Sequence, residues 1–221
     1  MPLQIRPSSA VKRRPGRPRD EALSARRKDE ILDAAARVFA DLGYRATDLQ
    51  VIADQIGVAK GTLYRYFPSK CDLFLAAVDR GMNRLLEYVE TNVSRSNDFL
   101  EMSANAIRSY LAFFDANPEF VELLIQERAE FKDRQGSSYF RYREDKNRHW
   151  QELYRGLIEH GCVRDMPVER ITDVVSNLLY GTMFTNYFAG RTKSLEAQTN
   201  DMVDIVWRGI LVDAKKDHNC E

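Results

Sequence analysis

Apolar side chains recur along this chain every three or four residues, the period of an amphipathic helix, with no stretch of strand-like alternation. The first stripe is Ile31, Leu32, Ala35, Val38, Phe39 and Leu42, and Gly43 offers its stop. Leu49, Ile52, Ala53 and Ile56 mark a short second helix, after which Gly57 permits a sharp turn. A third short helix covers roughly residues 60–66, with Leu63 and Phe67 facing inward. Pro68 ends it, and Ser69 can cap a long helix carrying Leu73, Phe74, Ala77, Val78 and Leu85. Asn97 and Asp98 can start a helix that ends near Ala116. Pro118 opens the next, at the position where its missing N–H costs nothing. Gly136-Ser137-Ser138 interrupts that helix. A long one follows to about His160, Pro167 opens another that ends near Gly190, and Ser194 can cap the last. The predicted class is all-α, with about nine helices: an N-terminal three-helix domain containing a helix-turn-helix and a larger C-terminal helical domain.

Charge divides the chain differently from hydropathy. Residues 1–28 hold nine basic side chains against two acidic ones, a net of +7, so the formally neutral chain carries −7 elsewhere. Residues 1–27 have few apolar side chains and four prolines, and read as a disordered basic arm. The expected domains are therefore the arm at 1–27, a helix-turn-helix domain at 28–75 and a C-terminal domain at 76–221. A basic arm on an acidic body points to a polyanion partner at one end. With 44% hydrophobic residues the chain can bury a sizeable core. It has no run of about 18 apolar residues and no apolar stretch behind the basic N-terminus, so neither a membrane span nor a signal peptide is expected. The three cysteines, Cys71, Cys162 and Cys220, are scattered and do not read as a disulfide framework, which fits a cytoplasmic protein.

The most informative stretch runs from Thr47 to Lys70. Two short helices joined by a glycine turn can set the second in the major groove of DNA. Gly61 lets the backbone approach, Thr62, Tyr64 and Tyr66 offer hydroxyls, and Lys70 adds a charge at the next helix start, all suited to phosphate. The segment from about Lys28 to Leu75 resembles the DNA-binding domain of TetR-family regulators. The residues that carry the resemblance are Ile31, Ala35, Phe39, Gly43, Tyr44, Ile52-Ala53, Gly57-Val58 and above all the run from Lys60 to Lys70. The resemblance implies that Thr62, Tyr64, Tyr66 and Lys70 hold phosphates, that Gln50, Lys60 and Arg65 reach base edges, and that Leu63 and Phe67 pack inside. Two positions depart from the family pattern: Asp48 stands where threonine often caps the second helix, and Ala59 where serine often caps the recognition helix. Within the arm, residues 14–19 resemble the Gly-Arg-Pro core of AT-hook peptides. Arg17 and Arg19 are thus candidates for an A/T-rich minor groove or for general phosphate contact.

Beyond residue 76 no enzyme motif or metal-ligand constellation is present; His160 and Cys162 lack further ligands. No catalysis, cofactor or metal is expected. Aromatic residues crowd the stretch from Tyr110 to Phe188. The resemblance implies an internal ligand cavity there, and Phe114, Phe131, Trp150, Tyr154, Tyr180 and Phe184 are its candidate walls. Glu127, set in an apolar run, is either a group for a cationic or hydroxylated ligand or a surface or salt-bridged glutamate. Wide apolar stripes on the last two helices suit burial against a second copy, and the resemblance implies a four-helix dimer interface. Its candidates are Val175, Leu178, Leu179, Val203, Val206 and Ile210. The resulting expectation is a homodimeric transcription repressor, released from a palindromic duplex operator by an unknown small molecule. The alternative is a DNA-binding regulator controlled by a protein partner.

Overall fold

The computed structural model describes residues 21–93, 98–132, 134 and 136–211. Nine helices follow one another in these residues: α1 (Glu21–Leu42), α2 (Leu49–Gln55), α3 (Lys60–Tyr66), α4 (Lys70–Val93), α5 (Phe99–Ala116), α6 (Pro118–Glu130), α7 (Ser138–Glu159), α8 (Val168–Ala189) and α9 (Leu195–Ile210). The only β-type pairing among them is an isolated antiparallel bridge between Val163 and Leu211. The caps fall where side-chain chemistry places them. Asp98 accepts from Leu100 N–H, Ser194 from Ala197 N–H, and Ser69 Oγ from Asp72 N–H. One start differs from expectation. Helix begins at Glu21 and not near Lys28, so residues 21–27 belong to α1; the seven added residues place Ser24 and Arg27 beside the recognition helix. Residues 1–20, with Arg17 and Arg19, lie outside the described residues.

The N-terminal bundle closes on Ile31, Ala35, Phe39, Ile52, Ala53, Leu63 and Phe74, all fully buried. Gly57, at φ +66°, makes the turn between α2 and α3, and the chain leaves α2 through Val58 N–H bonded to Ala53 O. The expected domain boundary at 75/76 falls inside α4, a helix about 36 Å long at 1.5 Å per residue. The core does not divide there either, for one apolar cluster runs from Ile31 through Leu85 and Phe120 to Met202. Arg80 fastens α4 to α1 through Asp29 at 2.6 Å and Asp33 at 2.9 Å.

A second seam joins the bundle to α6. Tyr44, Phe74 and Phe131 meet with ring centroids 5.1–5.6 Å apart. Gln126 donates to the Phe39 carbonyl at 2.9 Å, and Arg45 pairs with Glu130 at 2.8 Å. The body is built from α5 packed on α4, α8 and α9, with α7 against α8. A smaller apolar cluster, including Phe99, Tyr154, Ile171, Val206 and Ile210, fills its far end. Cys162, in the turn after α7, is disulfide-bonded, a bond that the scattered cysteines, which do not read as a disulfide framework, gave no reason to expect. Spacing along a chain does not report pairing in space.

Candidate DNA interface and ligand cavity

Helix α3 presents a mixed face. Gly61, Tyr64 and Arg65 are exposed; Lys60, Thr62 and Tyr66 are half-buried. A Cβ at Gly61 would meet nothing within 4 Å, so the backbone there is open to close approach. Ala59 makes no side-chain cap; in the first turn of α3 the Thr62 N–H bonds the Ala59 carbonyl at 2.7 Å, so an anion has only the N–H groups ahead of it. Tyr66 is steadied from α1. Its hydroxyl is drawn below the usual tyrosine range by a hydrogen bond with Ser24 and by the neighbouring Arg65, whose guanidinium lies 5.4 Å from the Tyr66 ring.

Three further candidate DNA contacts have partners. Asp48 caps α2 by accepting from Gln50 N–H at 2.8 Å and also takes Lys60 Nζ at 2.6 Å. These contacts hold its carboxyl below the usual range, the Gln50 N–H first and Lys60 second. Lys60 thereby neutralises this acidic group. The Gln50 amide donates to Asp54 at 2.7 Å. Lys70 departs further from expectation. Its ammonium donates to the carbonyls of Arg45 at 3.0 Å and Thr47 at 2.8 Å and sits 4.9 Å from the centre of the Tyr44 ring. It clamps the loop between α1 and α2, a role that no local pattern could report because the partners are backbone atoms 23 and 25 residues away. The Cys71 thiol beside it is pushed up by burial, then by Asp72, which does not favour its thiolate.

In the body, a cavity opens among α4, α5, α7, α8 and α9. About 820 Å³ of space lies between its walls, the open solvent at its mouth included. Of the seven candidate ligand residues, Trp150 and Tyr154 line it and the other five do not. Phe131 belongs to the seam with Tyr44 and Phe74. Phe114 is core against Tyr110 and Phe113. Tyr180 and Phe184 pack on one another and on Tyr139 and Phe188. Glu127 is 1% exposed and already satisfied: its carboxylate takes Arg134 Nη1 at 2.7 Å and Ser138 N–H at 3.0–3.1 Å, while the Ser138 hydroxyl is shared between Asp79 at 2.6 Å and Glu127 at 3.0 Å. It anchors the start of α7, so the salt-bridged alternative holds.

The cavity walls that sequence reasoning missed include several polar ones. Arg143, Lys146 and Asn147 face it from α7, and Ser103 from α5. A signal existed: residues 139, 142, 143, 146, 150 and 154 form one helical stripe, mixed aromatic and basic where a core stripe would be apolar. Tyr110 and Tyr139 join hydroxyls at 3.0 Å. Burial pushes Tyr139 and Tyr154 up to about 12, so both remain neutral hydrogen-bonding groups at ordinary pH. The buried Ser103 hydroxyl lacks a well-formed hydrogen bond, although Tyr154 lies close by.

The expected dimer residues are also re-sorted. Val203, Val206 and Ile210 are buried in the chain's own core, and Val175 and Leu179 are half-buried cavity walls. Only Leu178 of the six is exposed. The apolar groups that do face outward from α8 and α9 are Val174, Leu178, Phe188 and Ile205, the last two about 70% exposed. The stripes were wide, but which edge turned inward depended on neighbouring helices.

A helix-turn-helix continuous with a cavity-bearing helical body defines a one-component regulator. Residues 31–77 match the model for bacterial regulatory proteins of the tetR family. The chain is 30% identical over 156 residues to the HTH-type transcriptional repressor KstR2 of Mycobacterium tuberculosis, covering 66% of this chain and 74% of that protein. It is 31% identical to the HTH-type transcriptional activator FasR of Mycolicibacterium smegmatis over 55% of this chain, an alignment spanning only 53% of FasR. The fold is shared with the transcriptional regulator FadR of Bacillus subtilis, solved in complex with stearoyl-CoA, at a TM-score of 0.67 and 20% identity over 82% of this chain and 98% of that one. The chain belongs to the TetR family.

Proposed function

We propose that this protein is a transcription repressor that grips a palindromic duplex operator as a homodimer and releases it when a small molecule enters the cavity. One observation carries the reading. Helix α4 begins at Lys70, four residues after the recognition helix ends, and its far part supplies Val89 to the cavity wall. A ligand that alters the packing around Val89 therefore acts on the same rigid element that orients α3. Release requires the ligand to bind the DNA-incompetent arrangement more tightly than the competent one. Repression follows KstR2, the relative matched over more of its length than FasR, and a ligand with a long apolar body follows the stearoyl-CoA bound to the B. subtilis regulator. Tyr64, Thr62 and the first-turn N–H groups of α3 serve phosphates, Arg65 and Gln50 reach base edges, and Arg17 and Arg19 add contact from the arm.

The exposed face of α8 and α9 is the dimer surface. Gly181 and Gly209, beside which a Cβ would meet nothing within 4 Å, allow the partner helices to approach closely. The protein works by binding in the cytoplasm and catalyses nothing. Selection of bound sites from random duplex DNA, followed by titration of the complex with acyl and sterol ligands, tests the proposal. A selected palindrome and release by one ligand class are the expected result. Binding no tighter to selected than to random DNA at matched salt would sink it.

A further inference from the structure

Among the described residues, the cavity carries charge of one sign only. Arg143 and Lys146 line it, and no aspartate or glutamate does. Both cations are committed elsewhere, but weakly. Lys146 Nζ bonds Glu90 at 2.7 Å, and the Glu90 side chain is 61% exposed. Arg143 bonds Asp173 at 2.9 Å and Asn177 at 2.8 Å, and the Asp173 side chain is 59% exposed. Ion pairs with so exposed a partner contribute little, because the released carboxylate is well solvated by water. An incoming anion can therefore take either cation at small cost. A ligand cation would face two like charges beside apolar walls, offset only by exposed carboxylates that do not line the cavity. Behind the basic pair the walls are Tyr110, Tyr139, Tyr142, Trp150 and Tyr154, suited to an apolar body.

We propose that the effector is an amphipathic anion, with its apolar body among these aromatic side chains and its head group on Lys146 and Arg143, where it displaces Glu90 from Lys146. This rests on the reading of the cavity as the effector site. Glu90 lies on α4 and Lys146 on α7, so the exchange opens an ionic strap between the cavity and the helix that orients α3. An uncharged ligand of the same shape fills the cavity and leaves the strap closed.

The test uses the full chain with the uncharged dye Nile red in the cavity. Dodecanoate, dodecyl phosphate, dodecanol and dodecylamine compete for it below their micellar concentrations, at pH 7.5 and fixed salt. Either anion should displace the dye at concentrations at least about tenfold lower than dodecanol, and dodecylamine should be weakest. A lead of dodecanoate over dodecyl phosphate, or the reverse, supports the proposal and identifies the head group. Lys146→Gln should remove most of the anion advantage and leave dodecanol unchanged. Glu90→Gln, by freeing Lys146, should strengthen the anions alone. Equal displacement by anions and alcohol, tightest binding by the amine, an unchanged ratio in Lys146→Gln, or failure of the dye to bind each overturns the assignment. Release of selected operator DNA is read separately. Head-dependent binding without release would sink the repressor reading and leave the ligand assignment standing.

Discussion

Gly81→Ala sets two backbone-scale effects against each other. Residue 81 lies inside α4, where alanine is favoured over glycine by about 1 kcal/mol. The added Cβ would fall 2.3, 2.6 and 2.9 Å from three ring atoms of Phe120, where carbon–carbon contact needs about 3.5–4.0 Å. Phe120 cannot swing away freely. It is 2% exposed, its ring stacks on Phe113 at 5.9 Å, and the Arg84 guanidinium lies 5.4 Å from its centre. Overpacking of a tight core costs about 1–3 kcal/mol, and three clashes with one confined ring put this site near the upper end. The net expectation is a loss of about 1–2 kcal/mol, or a Tm lower by about 2–8 °C for a chain of this size. Thermal and urea unfolding at matched protein concentration measure it, since any dimer makes Tm depend on concentration. Phe120→Leu removes ring atoms from the contact, so the double variant should be more stable than the two single losses add up to, by about 1–2 kcal/mol. A Gly81→Ala protein at least as stable as the wild type, or a double variant with no coupling, would refute the claim that close approach at Gly81 sets the α4–α6 distance.

Removing the Glu127 carboxylate by Glu127→Ala leaves the buried Ser138 N–H unpaired and should cost about 2–3 kcal/mol in urea unfolding; a change under about 0.5 kcal/mol would show the anchor idle. Lys70→Met keeps the apolar stem and loses two hydrogen bonds to carbonyls, so stability should fall by about 1–2 kcal/mol with the salt dependence of DNA binding unchanged. Unchanged stability with a salt slope reduced by about 1 would instead restore a phosphate role. Leu178→Asp or Ile205→Asp should split the proposed dimer in sedimentation while the chain stays folded, whereas Val206→Asp should unfold the body, because Val206 is buried in its own core. Tyr139 and Tyr154 are held neutral by burial, so their contribution is complete below pH 10, the unfolded value, and is lost as pH rises toward 12. Each should lose about 2–3 kcal/mol across that window, read as a drop in alkaline stability that Tyr154→Phe reduces.

Local chemistry alone determined the succession of helices and most of their ends. The three- to four-residue apolar spacing, Gly57, Pro118 and the caps at Asp98 and Ser194 act within a few residues of themselves, so they are legible in one dimension. The run from Lys60 to Lys70 was sufficient to point to the family, because a short helix entering a groove draws its exposed residues from one continuous segment. Tertiary structure decided which side of each stripe turned inward. Val203, Val206 and Ile210 looked as fit for an interface as Ile205 or Phe188, and only the packing of α9 on α5 separated them. It also decided what each charge met: Glu127 found Arg134 and the start of α7, Lys70 found two distant carbonyls, and Lys146, on the cavity wall, found Glu90. A cavity is a gap between helices far apart in the chain. Its walls are defined by side chains that fail to touch, and no periodicity along a sequence encodes that.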